Sequence, residues 1–284
     1  MRKQWSAFLV ILLTLAFIVS CAGTTSVAPN PDFKAELIIL NTRPGITQKM
    51  VVLTPEKPVA SVILFNGGFG KIEAKGKADS PKIGISKNFL VRTREQFASQ
   101  GFVTAVVDVP SDQLKDGIDP AFRISDEHMK DIKAAIDYMK TKNLPVFLAG
   151  QSLGTISVAM AGINYSSSLD GIIMTSNATK PRDKWFTKWP VYKNYPNAIL
   201  DFELDKITVP ALVVAHAEDS CEPTPPDRAK TLQEKIVNSP RAELKIYTGG
   251  TAKEKGCNFW GHHSYYGQEE QVVNDISAFI KANL

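Results

Sequence analysis

Cysteine is scarce in this chain, with three residues in 284, at positions 21, 221 and 257. A dense disulfide scaffold is thereby excluded, and no Cys or His cluster has the spacing of a metal site. Lysine and arginine (33) barely outnumber aspartate and glutamate (29), and the excess includes Arg2 and Lys3 at the extreme N-terminus. Without a block of positive charge the chain lacks the electrostatic footprint of a nucleic-acid binder. Phosphate cradles are missing too: Gly67-Gly68-Phe69-Gly70 fits neither the P-loop nor the dinucleotide fingerprint. The residues therefore ask for no metal and no cofactor. What remains is a globular composition, 44% hydrophobic and 22% charged, which excludes a disordered body.

Long apolar runs are equally rare. The longest, residues 7–19, follows Arg2 and Lys3. As a helix it would rise about 20 Å, short of the ~30 Å hydrocarbon core of a membrane. A positive start followed by a short apolar stretch is the pattern of an export signal. Ile18-Val19-Ser20-Cys21-Ala22-Gly23 resembles the lipobox of bacterial lipoproteins. The resemblance implies a signal peptide over residues 1–20, a lipidated Cys21, and a tether over 21–33 ahead of a domain over 34–284. It implies a cell-envelope protein held to a membrane through its N-terminal lipid. Ala22 after the cysteine implies the outer membrane, facing the periplasm. Cys221 and Cys257 are then an even pair in an exported chain, the setting in which a disulfide is expected. Closing the intervening loop contributes roughly 4 kcal/mol in the chain-entropy picture.

Beyond the tether, strand-like and helix-like segments alternate. Apolar stretches at 36–40 and 49–53 precede a regular series. Buried-type strands are predicted at 61–65, 103–107, 146–149, 171–175, 211–215 and 244–247, and helices at 89–100, 126–142, 153–163, 228–237 and 269–284. In 126–142, Met129, Ile132, Ile136 and Met139 share one helical face opposite the charges. Continuous apolar strands separated by helices imply an α/β fold, a mostly parallel central sheet with helices on both faces. Residues 177–207 interrupt the rhythm with Trp185, Phe186, Trp189, Tyr192, Tyr195 and Phe202. Prolines at 181, 190 and 196 exclude one long helix there. This stretch reads either as a small lid over a pocket or as a surface excursion whose aromatics join the core.

Gly150-Gln151-Ser152-Leu153-Gly154 is a G-x-S-x-G sequence between a predicted strand and a predicted helix. Such a turn is tight and strained, needs small neighbours, and lifts the serine hydroxyl to the top of a sheet. In that setting nearly the whole mature chain resembles the α/β-hydrolase superfamily. The resemblance implies an α/β-hydrolase fold and a triad in the order nucleophile, acid, histidine, the last two on loops after late strands. Ser152 is then the nucleophile. His216-Ala217-Glu218-Asp219 follows the strand at 211–215, where the family carries its acid, so Asp219 is assigned, with Glu218 as the neighbour able to replace it. His262 and His263 both lie between the last strand and the last helix. His263-Ser264-Tyr265-Tyr266-Gly267 resembles the H-x-x-x-G run of similar hydrolases and favours His263 as the base. Adjacent residues in an extended loop face opposite ways, which leaves His262 a structural place. His128 and His216 read as structural.

A serine hydroxyl needs a base to take its proton, and the tetrahedral intermediate needs hydrogen-bond donors for its oxyanion. Family analogy supplies the Leu153 N–H and a second donor, Gly68 or Phe69, from the loop after the strand at 61–65. Cys221 lies two residues past Asp219 and Cys257 six before His263, so their bridge would tie the acid loop to the base loop. The function expected is a serine hydrolase acting on a small acyl substrate, an ester or a relative. A peptidase or amidase is a close variant, and a non-catalytic binding lipoprotein is the alternative. Aromatics in 177–207 hint at an apolar substrate group, and Arg92, Arg94 and Arg123 are candidate ligands for an anionic one.

Overall fold

A Pro44-Gly45 turn, with Gly45 at φ +73°, folds β1 (Phe33–Arg43) and β2 (Ile46–Pro55) into an antiparallel hairpin. Then come β3 (Ala60–Phe65), a small hairpin of β4 (Ala74–Lys77) and β5 (Ser80–Ile83), helices α1 (Phe89–Arg92) and α2 (Arg94–Ser99), and β6 (Phe102–Pro110). The chain continues through α3 (Asp126–Lys140), β7 (Val146–Gln151), α4 (Gly154–Tyr165), β8 (Gly171–Thr175) and α5 (Asp183–Lys188). It ends with β9 (Ala211–His216), α6 (Ala229–Glu234), β10 (Ala242–Tyr247) and α7 (Glu269–Lys281). This computed structural model describes residues 33–284; the expected signal peptide, Cys21 and nearly all of the tether lie outside the described residues.

Eight strands form one sheet in the order β1-β2-β6-β3-β7-β8-β9-β10. It is parallel from β6 onward, and only the pairings of β2 with β1 and β6 are antiparallel. The pleat divides each strand between two apolar layers. In β3, Ile63 and Phe65 face one layer while Val62 and Leu64 face the other. In β9, Val213 and Ala215 join the first layer, and Leu212 and Val214 the second. Helices α3, α4 and α6 cover the first face through residues such as Met129, Ile132, Ile156 and Leu232. Helices α1, α2 and α7 cover the second through Phe89, Phe97, Val272 and Phe279. Each such side chain contributes about 1.5–3 kcal/mol by leaving water.

Helix α3 follows its sequence signals closely. Ser125 caps it by accepting the His128 N–H at 3.2 Å, and Asp126 and Glu127 occupy its first turn. The helix expected over 89–100 is instead two. Thr93 separates them, with its hydroxyl bonded back to the Phe89 carbonyl at 2.7 Å, a local bond that competes with helix continuation. Residues 177–207 divide in the same way. Trp185, Tyr192 and Ala198 form their own buried cluster, whereas Ile199, Leu200, Phe202, Leu204 and Ile207 join the main core.

Candidate active site

The strand order reverses at β3, with β6 on one side and β7 on the other, and the carboxyl ends of these strands open onto the crevice where such sheets bind ligands. Ser152 sits there, between β7 and α4, at φ +57°. A non-glycine residue adopts that conformation at a cost of about 1–3 kcal/mol, so its surroundings must hold it. The Ser152 N–H donates to the Thr175 carbonyl at 2.9 Å, and its carbonyl accepts from the Thr155 N–H at 2.9 Å and hydroxyl at 2.6 Å. Both glycines of the motif are sterically required. A Cβ on Gly150 would lie 2.5 Å from the Gly154 carbonyl oxygen, and one on Gly154 would run into the Phe65 carbonyl oxygen.

Asp219 follows β9 and is almost wholly buried. Its Oδ1 accepts the Cys221 N–H at 2.9 Å; its Oδ2 accepts from the Thr224 hydroxyl and from His263 Nδ1, each at 2.9 Å. Three donors replace the water that a buried carboxylate has lost. Because Nδ1 faces the carboxylate, Nε2 is the free nitrogen of His263, which lines one pocket with Ser152. Among the described residues no hydrogen bond yet joins Ser152 Oγ to that nitrogen. Catalytic hydrogen bonds commonly tighten only when substrate is bound.

The backbone places His263. Its carbonyl accepts from Gln151 Nε2 at 3.0 Å and from Ser176 Oγ at 2.8 Å. Gln151 in turn takes a short hydrogen bond from Asn88, the N-cap of α1. Two residues on, Tyr265 adopts φ +54°, and its buried hydroxyl accepts the Ser176 N–H at 3.0 Å. His262 turns the other way and stacks on His216, ring centroids 4.4 Å apart. His216 Nε2 lies 3.1 Å from the Gly249 carbonyl oxygen, and its Nδ1 meets both the Glu218 N–H at 3.2 Å and the Glu218 carboxylate at 3.0 Å. Burial first, and the neighbouring His262 second, hold its pKa below the usual histidine value. Glu218, half exposed, lies against His216 rather than His263.

Cys221 and Cys257 form a disulfide, closing a 36-residue separation between the two loops. Donor atoms of Asp219, Cys221 and His263 lie within 4.8 Å of one another, the one such trio among the described residues. It does not suit a cation, since the Cys221 sulfur is spent in the disulfide and His263 Nδ1 turns its proton to Asp219.

The loop after β3 forms a tight turn, closed by the Gly70 N–H on the Gly67 carbonyl at 3.1 Å, with Gly68 at φ +55° and Gly70 at φ +77°. Arg123 lies beneath it, fully buried and without an ion pair among the described residues. Its Nη2 donates to the carbonyls of Asn66 at 3.1 Å and Gly68 at 3.0 Å, and its Nη1 to the Ser157 hydroxyl at 2.8 Å. Burial pulls its pKa down to about 9. A trans peptide points its N–H opposite its carbonyl. With the Gly68 carbonyl turned down to Arg123, the Phe69 N–H points away from it, on a residue that lines the pocket. Among the described residues the N–H groups of Gly68, Phe69 and Leu153 donate to no protein acceptor. The Ser157 hydroxyl is also hydrogen-bonded to His128 Nε2 at 2.8 Å, and burial holds the His128 pKa well below normal.

The pocket is about 320 Å³, small for a ligand site, and has Trp185, Trp189, Phe69 and Phe259 as its apolar walls. The three arginines anticipated as anion ligands are elsewhere. Arg92 pairs with Glu269 at 2.8 Å and donates to the Ser264 carbonyl, Arg94 pairs with Glu95, and Arg123 is buried below the loop. Gln151, Thr224, Ser176 and Asn88 escaped the sequence reading; only Gln151 carried a signal, its place inside the serine motif.

A family model described as serine aminopeptidase, S33, matches residues 88–200, a span holding Ser152 but not Asp219 or His263. Curated protein sequences show no match. Among solved structures, an esterase of Pyrococcus furiosus is 12% identical, covering 88% of this chain and 93% of its own at a TM-score of 0.61. Est1E of Butyrivibrio proteoclasticus is 18% identical over 87% of this chain and 98% of its own, TM-score 0.60. EstE1, a thermophilic carboxylesterase cloned from a metagenomic library, is 14% identical over 90% of each chain, TM-score 0.63. At such identities the likeness is one of fold, and the chain has the α/β-hydrolase fold.

Proposed function

We propose that the chain is a serine hydrolase of ester or related acyl substrates. In this reading Ser152 Oγ attacks the acyl carbonyl carbon while His263 Nε2 takes the hydroxyl proton. Asp219 holds the imidazole's tautomer and stabilises its cation. The intermediate's oxyanion takes hydrogen bonds from the Leu153 N–H and from the Gly68–Phe69 loop, with the Phe69 N–H aimed by the hold of Arg123 on the Gly68 carbonyl. As the bond to the leaving group breaks, His263 delivers its proton there. Water then attacks the acyl-Ser152 ester, His263 takes its proton, and that proton returns to Ser152 Oγ as the acid leaves.

One observation carries the reading: a strained, buried serine shares a pocket with a histidine whose other nitrogen is bonded to a buried carboxylate. The test is labelling by a fluorophosphonate probe, with Ser152→Ala beside the wild type, using protein lacking residues 1–21. Labelling of the wild type alone is expected. Absence of labelling in folded, oxidised protein would point to a binding protein that keeps the fold without the chemistry.

The partial match to the aminopeptidase family gives amides a place as a second substrate class, since the same triad cleaves both. A panel of matched chromogenic esters and anilides separates the two. The same reading puts the enzyme in the envelope, cleaved before Cys21 and lipidated on it. Cys21→Ser in the full chain is expected to abolish palmitate incorporation and release the protein from the membrane fraction.

A further inference from the structure

One part of the pocket lining is cationic. Arg182, Lys184 and Lys188 all line it, and no Asp or Glu does. Lys184 and Lys188 are spaced i,i+4 on and at the end of α5, as are Trp185 and Trp189, so a basic stripe runs beside an aromatic one. Lys188 Nζ lies 4.8 Å from the Trp189 ring centroid, which holds that ammonium over the pocket's apolar wall. Arg182 Nη2 donates to Cys257 Sγ at 3.2 Å, and both residues line the pocket. Among the described residues Glu222 is the one carboxylate ion-paired with this group, 3.4 Å from Arg182, and it is largely exposed. Asp183, also on α5, does not line the pocket. Lys184 and Lys188 have no ion pair among the described residues.

Arg182 shares its charge with Glu222, but the unpaired ammonium groups of Lys184 and Lys188 leave a net positive charge along a cleft with apolar walls, which focuses the field inward and raises the local concentration of an opposite charge. We infer that the preferred substrate is an acyl ester that carries an anionic group, a carboxylate in the simplest case, on the acyl part. The short apolar segment rests on Trp185 and Trp189, and the anion lies among Arg182, Lys184 and Lys188. The cavity of about 320 Å³ suits a short or single-ring acyl group rather than a long chain. The inference rests on the serine-hydrolase reading and adds a substrate class to it.

The experiment compares 4-nitrophenyl butyrate with 4-nitrophenyl hemisuccinate, which differ at the far end of a four-carbon acyl chain, each corrected for its rate without enzyme. The wild type is expected to favour the hemisuccinate about tenfold or more in kcat/KM, mostly through KM, with the preference shrinking as salt rises. Lys184→Gln/Lys188→Gln should reduce that ratio to about threefold or less. Lys184→Glu/Lys188→Glu should turn it to favour the butyrate. The ratio is read within each variant, with circular dichroism to verify its fold. Equal rates on the two esters in the wild type, or a preference that survives charge reversal, would overturn the inference while leaving the hydrolase intact. Failure of both esters together with failure of fluorophosphonate labelling would overturn the hydrolase reading and this one with it.

Discussion

Ser152 and His263 face the same pocket, yet the chain holds them by different means. Ser152 is held mostly by its neighbours in sequence, with Gly150 packed on the Gly154 carbonyl and Thr155 capping the Ser152 carbonyl from three residues away, and is joined to β3 and β8 at two points, where Gly154 meets the Phe65 carbonyl and the Ser152 N–H meets that of Thr175. His263 is held from a distance. Its carbonyl is bonded to Gln151 and Ser176, its ring to Asp219 44 positions away, and its loop to the acid loop through Cys221–Cys257. The difference teaches that the strain on a candidate nucleophile can be built largely within one turn, whereas its candidate base must be brought to it by the whole domain. Arg123 crosses the division, a distant residue that supports a local turn.

The largest effect should come from breaking the local side. Gly154→Ala drives a Cβ into the Phe65 carbonyl, and we expect a loss of about 3 kcal/mol in stability, read by denaturant titration, with no residual labelling of Ser152. Retained labelling at wild-type stability would show the turn is looser than its geometry.

On the distant side, Asp219→Asn should lower kcat about 10⁴-fold with the fold intact, by removing the tautomer control that Asp219 exerts through Oδ2. Glu218→Gln should stay within about threefold. Similar losses in the two variants would mean that the acid is misassigned.

Arg123→Met should lower kcat about 100-fold with little change in KM, because the two carbonyls it holds lose their donor and the oxyanion loop its orientation. Partial rescue by Arg123→Lys would separate positioning from simple misfolding; parallel loss of kcat and stability in both variants would favour the latter.

Reduction of Cys221–Cys257 should lower turnover roughly tenfold before the near-UV signal changes, since the bridge joins the acid and base loops rather than two core elements. Coincident loss of turnover and near-UV signal across a reductant series would assign the bridge to global stability alone.

The smallest effect concerns pH. Burial keeps His128 neutral well below its ordinary value of 6.5, whereas the unfolded chain takes up a proton there. The unfolded state binds more protons below pH 6.5, so stability is level above that value and falls beneath it, by about 1.4 kcal/mol at pH 5.5. His216, also held low, acts in the same direction. A melting midpoint unchanged from pH 7.5 to 5.5 would contradict this.

Much of this was legible in the residues alone. The buried strands announced themselves as short continuous apolar runs and α3 through its 3.6-residue period, because a sheet covered on both faces selects apolar side chains all along its strands and a helix only along one stripe. The hairpin of β4 and β5 did not, since Ala74-Lys75-Gly76-Lys77 has no apolar alternation to see. G-x-S-x-G was readable for a steric reason contained in five residues. His263 was preferred to His262 through the H-x-x-x-G resemblance, but the support from Gln151, Ser176, Thr224 and Arg123 and the cationic wall were not legible. Polar side chains carry no periodic signal, and which of them meet depends on contacts across the sheet. Sequence alone thus determined the layers and the strand-turn-helix that strains Ser152, because each follows from local pattern, while the order of the candidate triad came from the resemblance to the α/β-hydrolase superfamily. Tertiary structure placed His263 against Asp219, Arg123 under the loop after β3 and the cations on the pocket, because those are distances between residues far apart in the chain.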